Sequence, residues 1–320
     1  MKGLKKPIKS EKKQITSSAV ATYVKKTWII YAMLLIPLLH TFIFRYVPMA
    51  NIAMAFKDYN MFLGVWESPW SDPWYKWFQT AFSNRDFWLA FRNTLVLNLL
   101  DLALGFPVPI MLAILLNELA FKRYKRVTQT IIYLPHFLSW IIISGIAKQL
   151  FAPRTGVVNV LLGSWFGIGP IEFLTDNTLY VATYITLGIW KDMGWNTIIY
   201  LAAITGINTE LYEAAEVDGA SRLRKIWHIT LPGIRSTIVI LLIMSLGRLL
   251  GAEFDRPYAM MNDLVRSVAD ILSTLVYRVG IKGFQFSLTA AIGLFQSVIG
   301  VILLLTANAI AKRFGERGVL

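Results

Sequence analysis

No cysteine occurs among the 320 residues, which excludes disulfides, thiolate nucleophiles and cysteine-ligated metals. Charge is also scarce: Asp, Glu, Lys and Arg together make up 16% of the chain, where a soluble domain carries about 25%. The three histidines, His40, His136 and His228, are scattered and show no H-E-x-x-H or other ligand spacing. A G-x-S-x-G nucleophile turn is absent, and so is a G-x-x-x-x-G-K-[ST] phosphate loop. The sequence thus offers no enzyme constellation, no metal site and no ATP-binding motif of its own.

What the chain has instead is apolar length. Hydrophobic residues make up 56%, and they cluster in runs near the roughly 20 residues that cross a bilayer at 1.5 Å rise each. Six spans are expected, at about 27–48, 87–117, 128–150, 178–204, 234–256 and 287–311, giving an all-α integral membrane protein. The first run, around Trp28–Val47, has no small-residue cleavage pattern after it and reads as a retained span. Pro107, Pro109 and Pro135 lie inside spans, where each removes a backbone donor and predicts a kink. Residues 49–86 hold Trp66, Trp70, Trp74 and Trp77, a density that suits a folded loop at the membrane interface. Residues 151–177 and 257–286 read as polar loops, and 1–26 as a basic tail with eight Lys.

Charge distribution orients these spans. Nineteen Lys and Arg fall on the flank made of the two tails and the loops near 118–127 and 205–235, against nine on the other flank. Basic residues concentrate on the cytoplasmic side, so both termini and the 205–233 loop are expected in the cytoplasm, and 49–86 outside. The net charge of +13 is then a topology signal rather than a nucleic-acid footprint.

The 205–233 loop is the most informative segment. Asn208 or Thr209 can cap a short helix, Glu210 and Glu213 suit its positive end, and Gly219 can end it in a left-handed conformation. Ser221 can cap a second turn, and Pro232 fits the first turn of the next span. The first helix is too short to hold alone in water and needs a partner surface. Its Ala214 and Ala215 permit close approach, while Glu213, Glu216 and Asp218 can meet basic groups.

The pattern Glu213-Ala214-Ala215, Asp218-Gly219, Ile229 and Leu231-Pro232 resembles the signature loop of ABC importer permeases. Asn51–Asn60 with Ser68-Pro69-Trp70, Phe87–Asn93, Gly188–Ala202, Ala269–Arg278 and Gly293–Ser297 are similar to the carbohydrate-uptake branch, in the subgroup for complex oligo- and polysaccharides that includes alginate-type importers. The similarity covers most of residues 30–320. It implies a type I importer permease of the bacterial cytoplasmic (inner) membrane. It also implies a second permease, in the family usually a different chain, sharing the pathway. Two ATPase subunits would hold ATP and Mg²⁺, an extracytoplasmic binding protein would dock outside, and a saccharide would be the cargo. The Glu213–Gly219 helix would insert into an ATPase cleft.

Polar residues inside spans mark pathways because each is costly against lipid. They include Arg92, Asn93, Asn98, Asp101, Lys148, Lys191, Asp192, Asn196, Arg248, Glu253 and Gln296. Trp190, Trp195 and Asn196 combine apolar ring faces with an amide handle and suit a sugar. Lys191 and Arg248 would suit an acidic sugar, unless Lys191 is neutralised by Asp192 and Arg248 by Glu253 or Asp255. Gly247 with Gly251, and Gly293 with Ser297, are small pairs four apart that allow close helix packing, within this chain or against a partner. Two other classes compete with the importer reading: an ion-coupled secondary transporter, disfavoured because no repeat relates the two halves, and an integral membrane enzyme, for which no catalytic residues are visible.

Overall fold

A computed structural model describes residues 17–251 and 253–313. Residues 1–16 of the basic tail and 314–320 at the other end lie outside the described residues. The chain divides into Met1–Ala53 and Met54–Leu320. Among the described residues the secondary structure is helical, apart from two isolated bridges, Lys57 with Trp70 and Asn60 with Gly64.

In the first unit, helix Ser17–Thr41 begins inside the segment expected as a tail. Ser17–Lys26 contains neither Gly nor Pro, so nothing stops the helix from reaching back. It carries a non-helical residue at Thr27. A 32-residue apolar stretch, Lys25–Phe56, is long enough to cross a membrane.

In the second unit three single helices meet the same test of length and apolarity: Arg85–Glu118, Arg222–Gly247 and Phe286–Arg313. The span expected at 128–150 is a broken pair instead, Lys122–Phe137 and Trp140–Leu150, bent by 100°. Pro135 sits in a tight turn at the break, and the Ser139 hydroxyl restarts the chain by accepting from the Ile142 amide. Helix Asn177–Thr205 is capped by Asp176, which accepts from the Thr178 and Leu179 amides. At 29 residues it is about 44 Å long, but Lys191, Asp192 and Asn196 make it too polar to pass as apolar. The six expected spans therefore resolve into four apolar helices, one bent pair and one long helix carrying charge.

Two prolines are carried within helices by one shared device. Pro107 and Pro232 are each preceded by a wide π-helical turn, Asp101–Gly105 and Ile226–Thr230. A proline ring clashes with the carbonyl four residues back and leaves it unpaired. One extra residue in the preceding turn takes up that defect. The helix consequently runs through Pro232 from Arg222, and it stops at Gly247 rather than at 256.

The two expected polar loops are also corrected. Residues 151–177 contain the apolar helix Val157–Phe166, and Asn159 ties its base to Ala152 and Ile171 by side-chain hydrogen bonds of 3.1 and 3.0 Å. Residues 257–286 form a chain of short helices whose Val265, Ala269 and Leu272 are fully buried. Several of their polar groups find partners at hand: Thr274 donates to Asp270 at 2.7 Å, and Asn93 reaches in to the carbonyls of Ser267 and Asp270. Partners this close let a polar-looking segment enter a core.

Residues 54–86 form a folded cap on the first turn of the 286–313 helix. Ser287 donates to the Lys57 carbonyl and accepts from the Tyr59 amide. Lys57 is buried, and its ammonium donates to the carbonyls of Val65 and Trp66 at 2.8 Å each. Partial burial pushes the Asp58 carboxyl up, but hydrogen bonds from Lys76, Ser71 and Trp77 outweigh it and hold the group below its ordinary value.

Of the expected small pair Gly247 and Gly251, only Gly247 is in the 222–247 helix, and it packs within this chain. A Cβ on Gly247 would meet the Leu304 side chain at 2.8 Å, whereas one on Gly293 would meet nothing within 4 Å. Gly247→Val is expected to destabilise the purified chain by about 1–3 kcal/mol, read as a lower melting temperature, and Gly293→Val to leave melting unchanged.

Candidate functional site

Two features carry chemistry. The first is the 205–233 loop. Helix Thr209–Val217 starts on Asn208, whose side chain accepts from the Glu210 amide. It ends in a paired closure: the Gly219 amide donates to the Glu216 carbonyl and the Ala220 amide to Ala215, at 3.0 and 2.8 Å. Gly219 has φ +72°, a conformation that strains any residue with a Cβ. Ser221 then caps Arg222–Lys225 by accepting from the Arg224 amide. Lys225 returns to Glu216 at 2.6 Å, and that hydrogen bond holds the Glu216 carboxyl below its ordinary range. Tyr212 bonds Thr230 at 2.9 Å, so the short helix is anchored to the base of the 222–247 span.

This anchoring leaves one side open. Glu213, Ala214, Asp218, Gly219 and Pro232 are exposed, while Ala215, Ile229 and Leu231 are half-buried. Around the acids stand bare apolar side chains: Val217 is 89% exposed, Leu223 69% and Trp227 67%. Apolar groups of this size grouped with carboxylates mark a surface built to be covered.

The second feature is an open cavity of about 520 Å³. It lies among the 85–118 span, the 177–205 helix, the 222–247 span and the segment that follows it. Its polar lining is Asn98, Asp101, Asp192, Asn196, Ser245, Arg248, Glu253 and Arg256. Arg256 is 3% exposed and joins several elements. It pairs with Asp101 at 2.5 Å and Glu253 at 3.4 Å, donates to the Tyr184 carbonyl, and lies 3.6 Å from the Tyr184 ring centroid and 5.2 Å from that of Trp140. Gly188 faces it so closely that a Cβ there would collide with the guanidinium.

Of the polar and aromatic pathway residues expected from sequence, Asn98, Asp101, Asp192, Asn196, Arg248 and Glu253 line this cavity, while Lys191, Trp190, Trp195 and Gln296 do not. Lys191 is buried; it donates to the His136 carbonyl at 2.8 Å and lies 3.7 Å from Asp192. Trp195 stacks flat on the His136 ring, centroids 4.6 Å apart, and His136 Nδ1 is 2.9 Å from Asp192. These contacts hold the bend of the broken pair to the 177–205 helix. Gln296 donates to the Leu250 carbonyl. Arg248 does not pair with Glu253, which belongs to Arg256; among the described residues Arg248 has no ion pair. Arg256 itself was missed; it stands at the very end of the span expected at 234–256, where a charge reads as a span boundary. The Glu253–Arg256 spacing of three was the available signal.

Residues 105–316 match the family model described as the binding-protein-dependent transport system inner membrane component. The chain belongs to that family. Protein LplB of Bacillus subtilis (strain 168) is 46% identical over 302 residues, covering 94% of each chain. The polygalacturonan/rhamnogalacturonan transport system permease protein YteP of the same organism is 46% identical over 290 residues, 91% of this chain and 89% of that one. Among solved structures, a chain of a bacterial alginate ABC transporter, in complex with a periplasmic protein that holds an alginate pentasaccharide, matches with TM-score 0.84 and 40% identity over 93% of this chain and 99% of that one. The fold is therefore that of a type I ABC permease, and the chain is a multi-pass inner membrane protein of a transport system. The residue at the centre of its cavity is open to test. Arg256→Met would leave the half-buried Asp101 and Glu253 without the buried cation that pairs them; removing one partner of a fully buried pair costs about 3–5 kcal/mol, and the partial exposure of the two acids places this loss at or below the lower end. The expected result is a sharply lower melting temperature, partly restored when Asp101 and Glu253 are made Asn and Gln.

Proposed function

We propose that this chain is one permease subunit of an ATP-driven importer for acidic oligo- or polysaccharides. It forms the translocation pathway with a second, different permease. Two cytoplasmic ATPase subunits bind ATP and Mg²⁺, and an extracytoplasmic binding protein delivers the saccharide. Both termini face the cytoplasm, as the distribution of basic residues supports. The names of the relatives support the cargo class: polygalacturonan and alginate are both acidic polysaccharides.

The observation that carries the coupling role is the exposed turn at Glu213–Gly219. A nine-residue helix has little stability of its own, yet this one is capped at both ends and tied by Tyr212 to the 222–247 span. Motion imposed on the helix passes directly to a span that lines the cavity. An ATPase that grips Val217 and the neighbouring acids thereby tilts a wall of the pathway. This chain moves cargo, and its partners supply the energy.

Glu213→Lys reverses charge on the exposed face, and Gly219→Leu puts a branched side chain where φ is +72°. Each is expected to abolish substrate-stimulated ATP hydrolysis in proteoliposomes of the whole complex, with membrane insertion of the chain intact. Wild-type uptake in both variants would sink the proposed coupling role.

A further inference from the structure

The 222–247 span stops inside the protein, and the way it stops prepares a binding group. After Gly247 the backbone turns irregularly through Arg248–Gly251. The Arg248, Leu249 and Gly251 amides reach back only three residues, to the carbonyls of Ser245, Leu246 and Arg248, at 3.2 Å each, and among the described residues no backbone amide further along returns to the carbonyls of Leu249 and Leu250. Two side-chain amides from other spans satisfy them. Asn98 Nδ2 donates to the Leu249 carbonyl at 2.5 Å, and Gln296 Nε2 donates to that of Leu250. A helix break among apolar spans persists only where protein groups satisfy it and where it lines a cavity. Here both conditions hold, and the residue at the break is Arg248.

Its neighbours in the cavity are already engaged. Arg256 is taken by Asp101, Glu253 and the Tyr184 carbonyl. Asp192 is held by His136 and Lys191. Arg248 is exposed to the cavity, and its single hydrogen bond is a long one, Nε to the Met244 carbonyl at 3.4 Å. Both of its terminal amino groups stay open. The Asn196 side chain, exposed on the 177–205 helix, makes no hydrogen bond among the described residues.

We infer that Arg248 is a carboxylate-binding group of the pathway, reading a uronate residue of the passing saccharide, with Asn98 and Gln296 as positioning residues and Asn196 as a hydroxyl contact. A guanidinium presents two parallel N–H groups that match a carboxylate edge. The fixed carboxylates beside it repel a second anion, so the cavity takes one uronate carboxylate at a time. This assignment rests on the saccharide-importer reading above and adds which group of the sugar is read, and by what.

The test uses the purified complex of both permeases and both ATPases without its binding protein, so that selection outside the membrane does not contribute. Equilibrium binding is measured for trigalacturonate and for its fully methyl-esterified form. The wild-type complex is expected to prefer the charged form, with a preference that shrinks as salt is added. Arg248→Gln is expected to weaken trigalacturonate binding roughly ten- to a hundredfold, with binding of the ester unchanged. Arg248→Lys keeps the charge but loses the fork, and falls between. Equal affinity of the wild type for the two forms, or an equal loss of both in Arg248→Gln, overturns the Arg248 assignment and leaves the importer reading standing. Binding of neither form by the wild type overturns both.

Discussion

The cavity depends on one buried cation. Arg256 is surrounded by Asp101 from the 85–118 span, the Tyr184 carbonyl and ring from the 177–205 helix, the Trp140 ring from the bent pair, and Glu253 beside it. A charge in so dry a place is tolerated only when paired and hydrogen-bonded, so the guanidinium sets where its neighbours must stand. Gly188 has no side chain because the cation occupies that volume. Arg256 is also the reason the 257–286 segment packs inside the protein rather than lying on its surface. Helix Asp255–Met260 delivers Arg256 to its partners, and the short helices after it fill the core around Val265, Ala269 and Leu272.

Around that fixed point the remaining charges divide by partner. Lys191 and Asp192 lie 3.7 Å apart and, with His136 and Trp195, hold the bend at Pro135 to the long helix. Lys191 is used up in that contact, although adjacent charges inside a span read from sequence as a pathway signal. Arg248 reads the same way in sequence and behaves differently, because Glu253, five residues on, pairs with Arg256 instead. Composition and spacing cannot distinguish the two cases. What distinguishes them is the partner each charge finds across the fold, often more than 50 residues away in sequence, as with Lys191 and His136 or Arg256 and Asp101.

Local chemistry was far more legible. The caps at Asn208 and Ser221 and the left-handed Gly219 all follow from rules that act over four or five residues. For that reason the 205–233 loop could be read almost in full, together with its resemblance to permease coupling loops. Span existence was legible too, since apolar length is a local property. Span ends were not. Pro107 and Pro232 looked like a kink and a start, but a π-helical turn ahead of each carried the helix through. The cost of a proline depends on how the preceding turn adjusts, and the residue alone does not reveal it.

The same π-helical turns bear on how force crosses the molecule. The turn at Ile226–Thr230 stands between the exposed coupling surface and the rest of the 222–247 span, and Thr230 within it bonds Tyr212 of the short helix. The turn at Asp101–Gly105 begins with the acid that holds Arg256. In the proposed coupling role the 222–247 span joins these two regions: the Tyr212–Thr230 contact stands at one end of it, and Arg248, which lines the same cavity as Asp101 and Arg256, follows the other. Asn98 and Gln296 make that second end definite, so the cavity wall carries its charged group on a fixed backbone rather than on a frayed terminus.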